Sequence, residues 1–205
     1  MKKIAFIMLS MVLLAACNDG QKKEAKVEEV AVNNTEVKGE LPELSIYNLP
    51  ATWTTQNYED IQLEDLRGNV LVMVMIYTSC KAACPRLIAD MRNIEKQVPE
   101  EYLDKTKFIM VSIDPETDTP DRLNAFAKEN EMEDDHWLFL RGTPEDTREF
   151  ATVLAVSYKK ISPIDFSHSN IISVFDEEGV LVHQQEGLGV DNTETVEAIK
   201  TEVSN

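Results

Sequence analysis

The stretch that decides the fold is Tyr77-Thr78-Ser79-Cys80-Lys81-Ala82-Ala83-Cys84-Pro85-Arg86. A continuous apolar run, residues 70–76, leads into it. After it, apolar residues recur at the three- and four-residue spacing of one helix face: Leu87, Ile88, Met91, Ile94 and Val98. The pattern predicts a buried strand, a turn and then a helix, with both cysteines at the junction.

The two cysteines are four residues apart, which suits a shared function. If the first helical turn begins near Cys80, this spacing places Cys80 and Cys84 on the same side of the helix. Pro85 is compatible with a first turn, where no intrahelical N–H partner is needed. A helix N-terminus favours anions, so we expect both thiols to ionise more easily than free cysteine, and Lys81 adds a positive charge that favours the thiolate of Cys80. Such a pair indicates either redox chemistry or a soft-metal site.

The N-terminus has the features of an export signal. Lys2 and Lys3 precede an apolar segment, residues 4–14, that is too short for a comfortable membrane span. Leu-Ala-Ala-Cys17 resembles a bacterial lipobox. We therefore expect residues 1–17 to be a lipoprotein signal peptide, Cys17 to be the lipidated first mature residue, and the protein to be held at a membrane of the bacterial cell envelope. The alternative is an ordinary secretory signal with an incidental cysteine.

Composition separates a linker from one domain. Residues 18–40 contain no aromatic side chain and are rich in Lys, Glu, Val and Asn, which predicts a flexible linker. Residues 41–205 have the size of a single domain. Loss of Lys2 and Lys3 with the signal changes the formal charge from −17 to −19. This acidity argues against nucleic acid as a partner, because phosphates require the opposite charge.

Hydrophobic periods alternate along the domain and predict an α/β fold. Residues 44–47 and 53–55 are weak strand candidates that we expect to form an N-terminal hairpin. Further predicted strands are residues 70–76, 108–113, 137–140, 170–175 and 180–184; further predicted helices follow the cysteines and span residues 120–128, 143–155 and 193–203. This order predicts a thioredoxin-like central sheet flanked by helices, with inserted elements. The cysteine pair then lies at the carboxyl end of a central strand.

The chain has three histidines, and they differ in their surroundings. His136 is flanked by acids before a strand, so we interpret it as a surface histidine. His183 lies at the polar end of a hairpin strand and is predicted to face solvent. His168 lies in a polar loop just before an apolar strand, beside the predicted cysteine turn. It is therefore the candidate third group, the alternative being a histidine that merely caps the strand.

Three motifs occur in an order that resembles the Sco/SenC family. They are Thr78-x-Cys80-x-x-x-Cys84-Pro85, then Val111-Ser112-Ile113-Asp114-Pro115-Glu116-Thr117-Asp118-Thr119-Pro120, then Asp165-Phe166-Ser167-His168-Ser169. The resemblance covers residues 42 to 203. It implies a membrane-tethered, thioredoxin-fold copper chaperone that helps assemble the dinuclear copper site of cytochrome c oxidase subunit II. It also implies that Cys80, Cys84 and His168 are the copper ligands, and that Asp114 shapes the nearby loop or contacts the partner.

The chain departs from the family pattern at two places. Lys81-Ala82-Ala83 stands where members often have a proline directly after the first cysteine, and residues 158–168 are compact compared with many relatives. Neither departure removes a ligand, but both leave open whether the client is the oxidase or another exported copper enzyme.

Other chemistries remain open at the same three residues. Thiolates select Cu(I) and imidazole tolerates Cu(I) and Cu(II), whereas zinc could use the same ligands with water as the fourth. Cys80 and Cys84 could also form a redox-active disulfide, which makes a thiol–disulfide reductase that keeps client cysteines reduced the competing function. Against it stand the three-residue spacing and the presence of His168. A purely structural disulfide is the third alternative.

Overall fold

The structure is a computed structural model, and it describes residues 39–81, 83–163 and 165–205. The predicted signal peptide with Cys17 and residues 18–38 of the predicted linker lie outside the described residues. Residues 39–205 form one compact unit with its own hydrophobic core, which are the features expected of a domain. No helix among the described residues is long and apolar enough to cross a membrane.

Fourteen helices and strands make up this domain as described. In chain order they are β1 (Thr52–Thr55), β2 (Asp60–Gln62), β3 (Val70–Ile76), α1 (Cys84–Gln97), α2 (Glu100–Leu103), β4 (Thr106–Ser112), α3 (Pro120–Glu129), β5 (Trp137–Arg141), α4 (Pro144–Val153), β6 (Tyr158–Lys160), β7 (Phe166–His168), β8 (Ile171–Phe175), β9 (Leu181–Glu186) and α5 (Thr193–Val203). Two short 3-10 helices, Ile46–Asn48 and Leu63–Leu66, precede β3.

Seven of the strands form one mixed sheet in the order β2-β1-β5-β4-β3-β8-β9. The strands β3, β4 and β5 are parallel neighbours, whereas β8 runs antiparallel beside β3. The hairpin of β6 and β7 is a separate two-stranded sheet. The predicted central sheet flanked by helices is therefore present. Because β3 and β4 are parallel, their carboxyl ends, at Ile76 and Ser112, meet at one edge of the sheet.

The central strand is buried along its whole length. All seven residues of β3 are buried, and α5 packs over β3, β8 and β9 while also contacting α1. A strand covered on both faces has no solvent side, which explains why residues 70–76 are apolar without alternation. The turn that carries the cysteines therefore follows a strand that is held in place by packing on both faces.

One predicted element is wrong. Residues 44–47 were expected to be a strand of an N-terminal hairpin, but Ile46–Asn48 form a 3-10 helix. The side chain of Ser45 accepts a hydrogen bond from the Tyr47 N–H, and Ile46 and Tyr47 are both buried, so the alternation of a strand is absent. The hairpin at this end is formed instead by β1 and β2.

Candidate metal centre

Both cysteines lie between the end of β3 and the first turn of α1. After Ile76 the chain makes a turn in which the Cys80 N–H donates to the Tyr77 carbonyl at 3.2 Å. Because of this turn, α1 begins at Cys84 rather than near Cys80, as the sequence had suggested. The Cys84 N–H donates to Cys80 Sγ at 3.3 Å, so the two residues are in contact although Cys80 precedes the helix. Both cysteines are thiols in this structure.

The structure brings His168 to the cysteine pair. His168 ends β7, and its Nε2 lies 4.0 Å from Cys84 Sγ. One ligand atom from each of Cys80, Cys84 and His168 lies within 4.8 Å of the others. The predicted third group is therefore in place, and a strand-capping role alone does not account for its position.

The hydrogen bond on the other ring nitrogen decides which tautomer His168 adopts. His168 Nδ1 lies 2.9 Å from the Ser169 carbonyl oxygen, which can only accept, so Nδ1 carries the proton. The lone pair of Nε2 then faces the sulfur of Cys84. Burial lowers the pKa of His168, which further favours the neutral imidazole. A neutral ring with its second nitrogen anchored to a carbonyl is the form in which histidine ligates metals.

The ionisation of Cys84 differs from the expectation. The pKa of the Cys84 thiol is raised, chiefly because the side chain is fully buried, and also because the Cys80 sulfur is beside it. At this sulfur, loss of solvation outweighs the field of the helix N-terminus. In the absence of a cation the sulfur keeps its proton, and metal binding would release that proton.

Tyr77 contacts two of the candidate ligands, Cys80 and His168, which the sequence did not predict. Its ring packs edge-on against the His168 ring, with centroids 5.8 Å apart, and its hydroxyl accepts a hydrogen bond from the Phe166 N–H at 3.3 Å. The Tyr77 hydroxyl also interacts with the side chain of Cys80, and burial raises the pKa of Tyr77 to about 12. One side chain therefore contacts both the cysteine turn and the strand that carries His168.

Asp118 is the second residue that the sequence reasoning missed as part of the site. Its carboxylate is fully buried and accepts hydrogen bonds from the Thr78 hydroxyl at 2.5 Å, the Thr78 N–H at 3.2 Å and the Ser112 hydroxyl at 2.6 Å. Arg122 Nε lies 3.8 Å away and donates to the Thr78 hydroxyl. The pKa of Asp118 is raised, because the effect of burial is larger than the opposing effect of the hydrogen bonds from Ser112 and Thr78. In the sequence, Asp118 appears only as one residue of the second motif, and nothing there marks it as part of the site.

Asp114 lies close to the site without joining the ligand group. It follows the end of β4 and is buried, and its N–H donates to the Ser112 hydroxyl at 3.1 Å. It lines a cleft together with Tyr158 and Phe166 of the β6–β7 hairpin. The predicted role in shaping the loop or contacting a partner stays a prediction.

The other two histidines are less exposed than expected. His136 Nε2 lies 2.6 Å from Glu95 Oε1, and its side chain is only 14% exposed, so the interpretation as a surface histidine is wrong. Its strand-flanking position lets the ring pack against Phe108 and Trp137. Glu95 and His136 also form a group with Asp134 that could hold a cation. His183, predicted to face solvent, is partly buried and hydrogen-bonded to the hydroxyl of Thr195 at 3.0 Å, because α5 covers this part of the sheet.

Two sulfurs and one imidazole nitrogen at the edge of a mixed α/β sheet define a class of protein. The donor set is suited to a soft or borderline cation such as copper or zinc, and the paired thiols also permit disulfide exchange. The fold and this edge position are those of a thioredoxin-like protein with a Cys-Cys-His site.

Comparison with known proteins identifies the family. The SCO1/SenC family model matches residues 45–204, so the chain belongs to the SCO1/SenC family, and the resemblance seen in the motifs is confirmed. The SCO1 protein homolog of Bacillus subtilis (strain 168) is 35% identical over 103 residues, covering 50% of this chain and 53% of that protein. The matched parts span about half to three fifths of the curated relatives' own length.

Solved structures agree in fold. A SCO1/SenC family lipoprotein from Bacillus anthracis superposes with a TM-score of 0.68 at 25% identity, covering 74% of this chain and 91% of that one. The copper-bound ScoI of Bradyrhizobium japonicum superposes with a TM-score of 0.63 at 24% identity, covering 74% of this chain and 96% of that one. The thioredoxin-like fold of the Sco proteins is thus confirmed for this chain.

Proposed function

We propose that this protein is a copper chaperone that binds copper through Cys80, Cys84 and His168. The observation that supports this most directly is the convergence of the three ligand atoms within 4.8 Å, with the Nε2 lone pair of a neutral imidazole turned towards a sulfur. Bound copper would be held by two sulfurs, which favour Cu(I), and by an imidazole, which also tolerates Cu(II). Zinc is less favoured than copper because two of the three ligands are soft thiolates, which select Cu(I).

The client proposed for this chaperone is the dinuclear copper site of cytochrome c oxidase subunit II or of a related exported copper enzyme. Family membership and the copper-bound state of the related ScoI support this proposal. Asp114 would shape the loop beside the site or contact the client. The cargo is copper itself, so the protein acts by binding and release and need not catalyse a reaction.

A lipid anchor would hold this site at the membrane. The Leu-Ala-Ala-Cys17 sequence and the lipoprotein from Bacillus anthracis support lipidation of Cys17 and cleavage directly before it, which removes residues 1–16. Residues 18–40 would then tether the domain to a membrane of the bacterial cell envelope. Labelling with a radioactive fatty acid tests this step, because Cys17→Ser should abolish labelling and release the protein from the membrane fraction.

Copper binding is tested with Cys80→Ser and Cys84→Ser in residues 39–205. Competition with a Cu(I) chelator under anaerobic conditions should show tight binding by the reduced domain, and each variant should lose at least about 100-fold in affinity because a thiolate ligand is removed. Retention of wild-type affinity by both variants would place copper elsewhere on the chain.

A thiol–disulfide reductase is the second candidate, and one contact favours it. The Cys84 N–H donates to Cys80 Sγ at 3.3 Å, so the two cysteines are already in contact, as exchange of a thiol pair with a client disulfide requires. In that case Cys80→Ser would abolish the exchange, whereas His168→Ala would leave it nearly unchanged. The two functions share their cysteines and can coexist.

A further inference from the structure

Four cationic side chains lie on the segments that form the candidate metal centre of a strongly acidic domain. Residues 39–205 carry 14 lysines and arginines against 32 aspartates and glutamates, a formal charge of −18. Against this background, the segments that carry the three ligands also carry Lys81, Arg86, Lys159 and Lys160. These four residues are called the basic rim.

All four members of the basic rim are exposed to solvent, and they lie on the cysteine turn, the first turn of α1 and strand β6. Lys81 lies between the two cysteines, and Arg86 is in the first turn of α1, two residues after Cys84. Lys159 lines an open cleft of about 290 Å³ together with His168. Lys160, next on the same strand, lines the neighbouring cleft of about 190 Å³. Lys159 and Lys160 therefore border the open clefts beside His168 and Asp114.

Charge on the basic rim is not neutralised within the described part of the chain. No carboxylate oxygen of a described residue lies within 4.0 Å of any of its four cationic groups; Lys160 lies over the ring of Phe166 at 5.3 Å. The acidic residues of the neighbouring loops and of the first turn of α3 are Asp114, Glu116, Asp118, Asp121 and Asp165. Two of them, Asp114 and Asp118, are buried. The exposed border of the centre is thus more positive than the rest of the domain.

We propose that the basic rim is a docking surface for a protein partner that presents acidic residues beside its own metal-binding or disulfide-forming cysteines. This inference rests on the proposed function, since it describes how the client would reach the same site. Opposite charges would bring the two sets of thiols together and orient them. Ile161, 63% exposed in the turn after Lys160, offers an apolar contact next to the charges. An anionic membrane is disfavoured as the partner because the whole domain carries −18.

The test uses two synthetic peptides that differ only in charge. Each carries one intramolecular Cys-x-x-x-Cys disulfide, flanked by four glutamates in one peptide and by four glutamines in the other. A protein thiolate attacks the peptide disulfide, a mixed disulfide forms and one peptide thiolate leaves. The second protein cysteine then closes the Cys80–Cys84 disulfide and releases the other peptide thiolate. Two electrons pass from protein to peptide, the protein thiol protons go to solvent, and the reduced peptide is quantified.

We expect the reduced domain to react faster with the glutamate peptide than with the glutamine peptide. Lys159→Glu/Lys160→Glu should slow the reaction with the glutamate peptide roughly tenfold at 0.1 M ionic strength, taking charges about 12 Å apart in water. The rate with the glutamine peptide should change by less than about twofold. Lys159→Gln/Lys160→Gln should change the logarithm of the rate with the glutamate peptide by about half as much. In 1 M salt, neither double variant should differ from the wild-type domain.

A matched pair of lysines serves as the control. Lys96 lies about 18 Å from Cys84 along α1, and Lys105 lies about 23 Å from Ser112 along β4; both are exposed. Lys96→Glu/Lys105→Glu makes the same change in net charge and should alter the rate with the glutamate peptide by less than about twofold. Equal effects of the two double variants would overturn the proposal, since net charge alone would explain them.

Other results would also decide against the basic rim. Equal rates of the wild-type domain with both peptides would overturn the proposal, and so would tight binding of the domain to phosphatidylserine vesicles at 0.1 M salt that Lys159→Glu/Lys160→Glu abolishes.

The copper measurements test the proposed function independently of the docking surface. A domain that binds copper through its three ligands but shows no preference for the glutamate peptide refutes the docking surface alone, whereas a preference without copper binding refutes the metal assignment alone.

Discussion

Replacing Asp118 by alanine should weaken the fold at the base of the metal centre. The buried carboxylate accepts hydrogen bonds from the Thr78 N–H, the Thr78 hydroxyl and the Ser112 hydroxyl. A hydrogen bond to a charged group contributes about 1.5–3 kcal/mol, and relief from burying a carboxylate offsets part of the sum. We therefore expect Asp118→Ala to lower the free energy of unfolding by about 3 kcal/mol. For a domain of this size the melting temperature would fall by about 6–12 °C.

Urea unfolding of residues 39–205 at pH 7, followed by circular dichroism, measures this loss. Glu116→Ala is the matched control, because Glu116 is an exposed acid of the same loop and its removal should change the free energy by less than about 0.5 kcal/mol. The m-value should stay the same in both variants. A loss below about 1 kcal/mol for Asp118→Ala would show that the buried carboxylate does not stabilise this region, because its three hydrogen bonds would then contribute no more than a surface carboxylate does.

The pH dependence gives a second check on Asp118. Burial raises its pKa in the folded state, so the folded protein binds the proton more tightly than the unfolded chain does. Protonation therefore adds stability as the pH falls through the folded-state pKa, and this gain is complete below the unfolded value. The wild-type protein should gain stability relative to Asp118→Asn over this acidic range. A constant difference between the two proteins would show that the pKa of Asp118 is not raised.

Three further predictions follow from single contacts. Tyr77→Phe removes the hydroxyl that contacts the strand of His168, and we expect a loss of about threefold to tenfold in Cu(II) affinity with the fold retained, measured by competition titration. Glu95→Gln should cost about 1 kcal/mol at neutral pH after allowance for solvent screening. Burial raises the pKa of Glu95, but hydrogen bonds from its imidazole and indole neighbours outweigh this and lower it, so the difference should disappear as the pH falls through that lowered value in urea titrations. Gly142→Ala should destabilise by about 1–3 kcal/mol in thermal melts, because the added Cβ would lie 2.9 Å from a ring carbon of buried Trp53; an unchanged melting temperature would show that the ring moves aside freely.

The periodic patterns predicted most of the fold. Residues 70–76 and 193–203 were predicted with the bounds that the structure shows, because a continuous apolar run and an amphipathic helix of that length have few alternatives. Residues 44–47 were assigned wrongly, since the Ser45 cap and the joint burial of Ile46 and Tyr47 depend on contacts with distant parts of the chain. Local propensity does not contain that information.

The candidate centre was predictable in its ligands but not in its surroundings. Two cysteines and a histidine could be read from the motifs, whereas the burial that raises the pKa of Cys84 depends on how α1 packs. Tyr77 and Asp118 were likewise hidden, because each has a partner that is 40 or more residues away in sequence. Only the folded chain brings such groups together.

The most direct test of the central claim is copper titration of residues 39–205 and of His168→Ala, with His136→Gln as the control. We expect one copper per chain for the reduced domain, with a thiolate-to-Cu(II) absorption band that disappears in His168→Ala and persists in His136→Gln, while circular dichroism shows both variants folded. Unchanged copper affinity and absorption in His168→Ala would show that His168 is not a copper ligand. Loss in His136→Gln alone would place the ion at the group formed by Glu95, Asp134 and His136 instead.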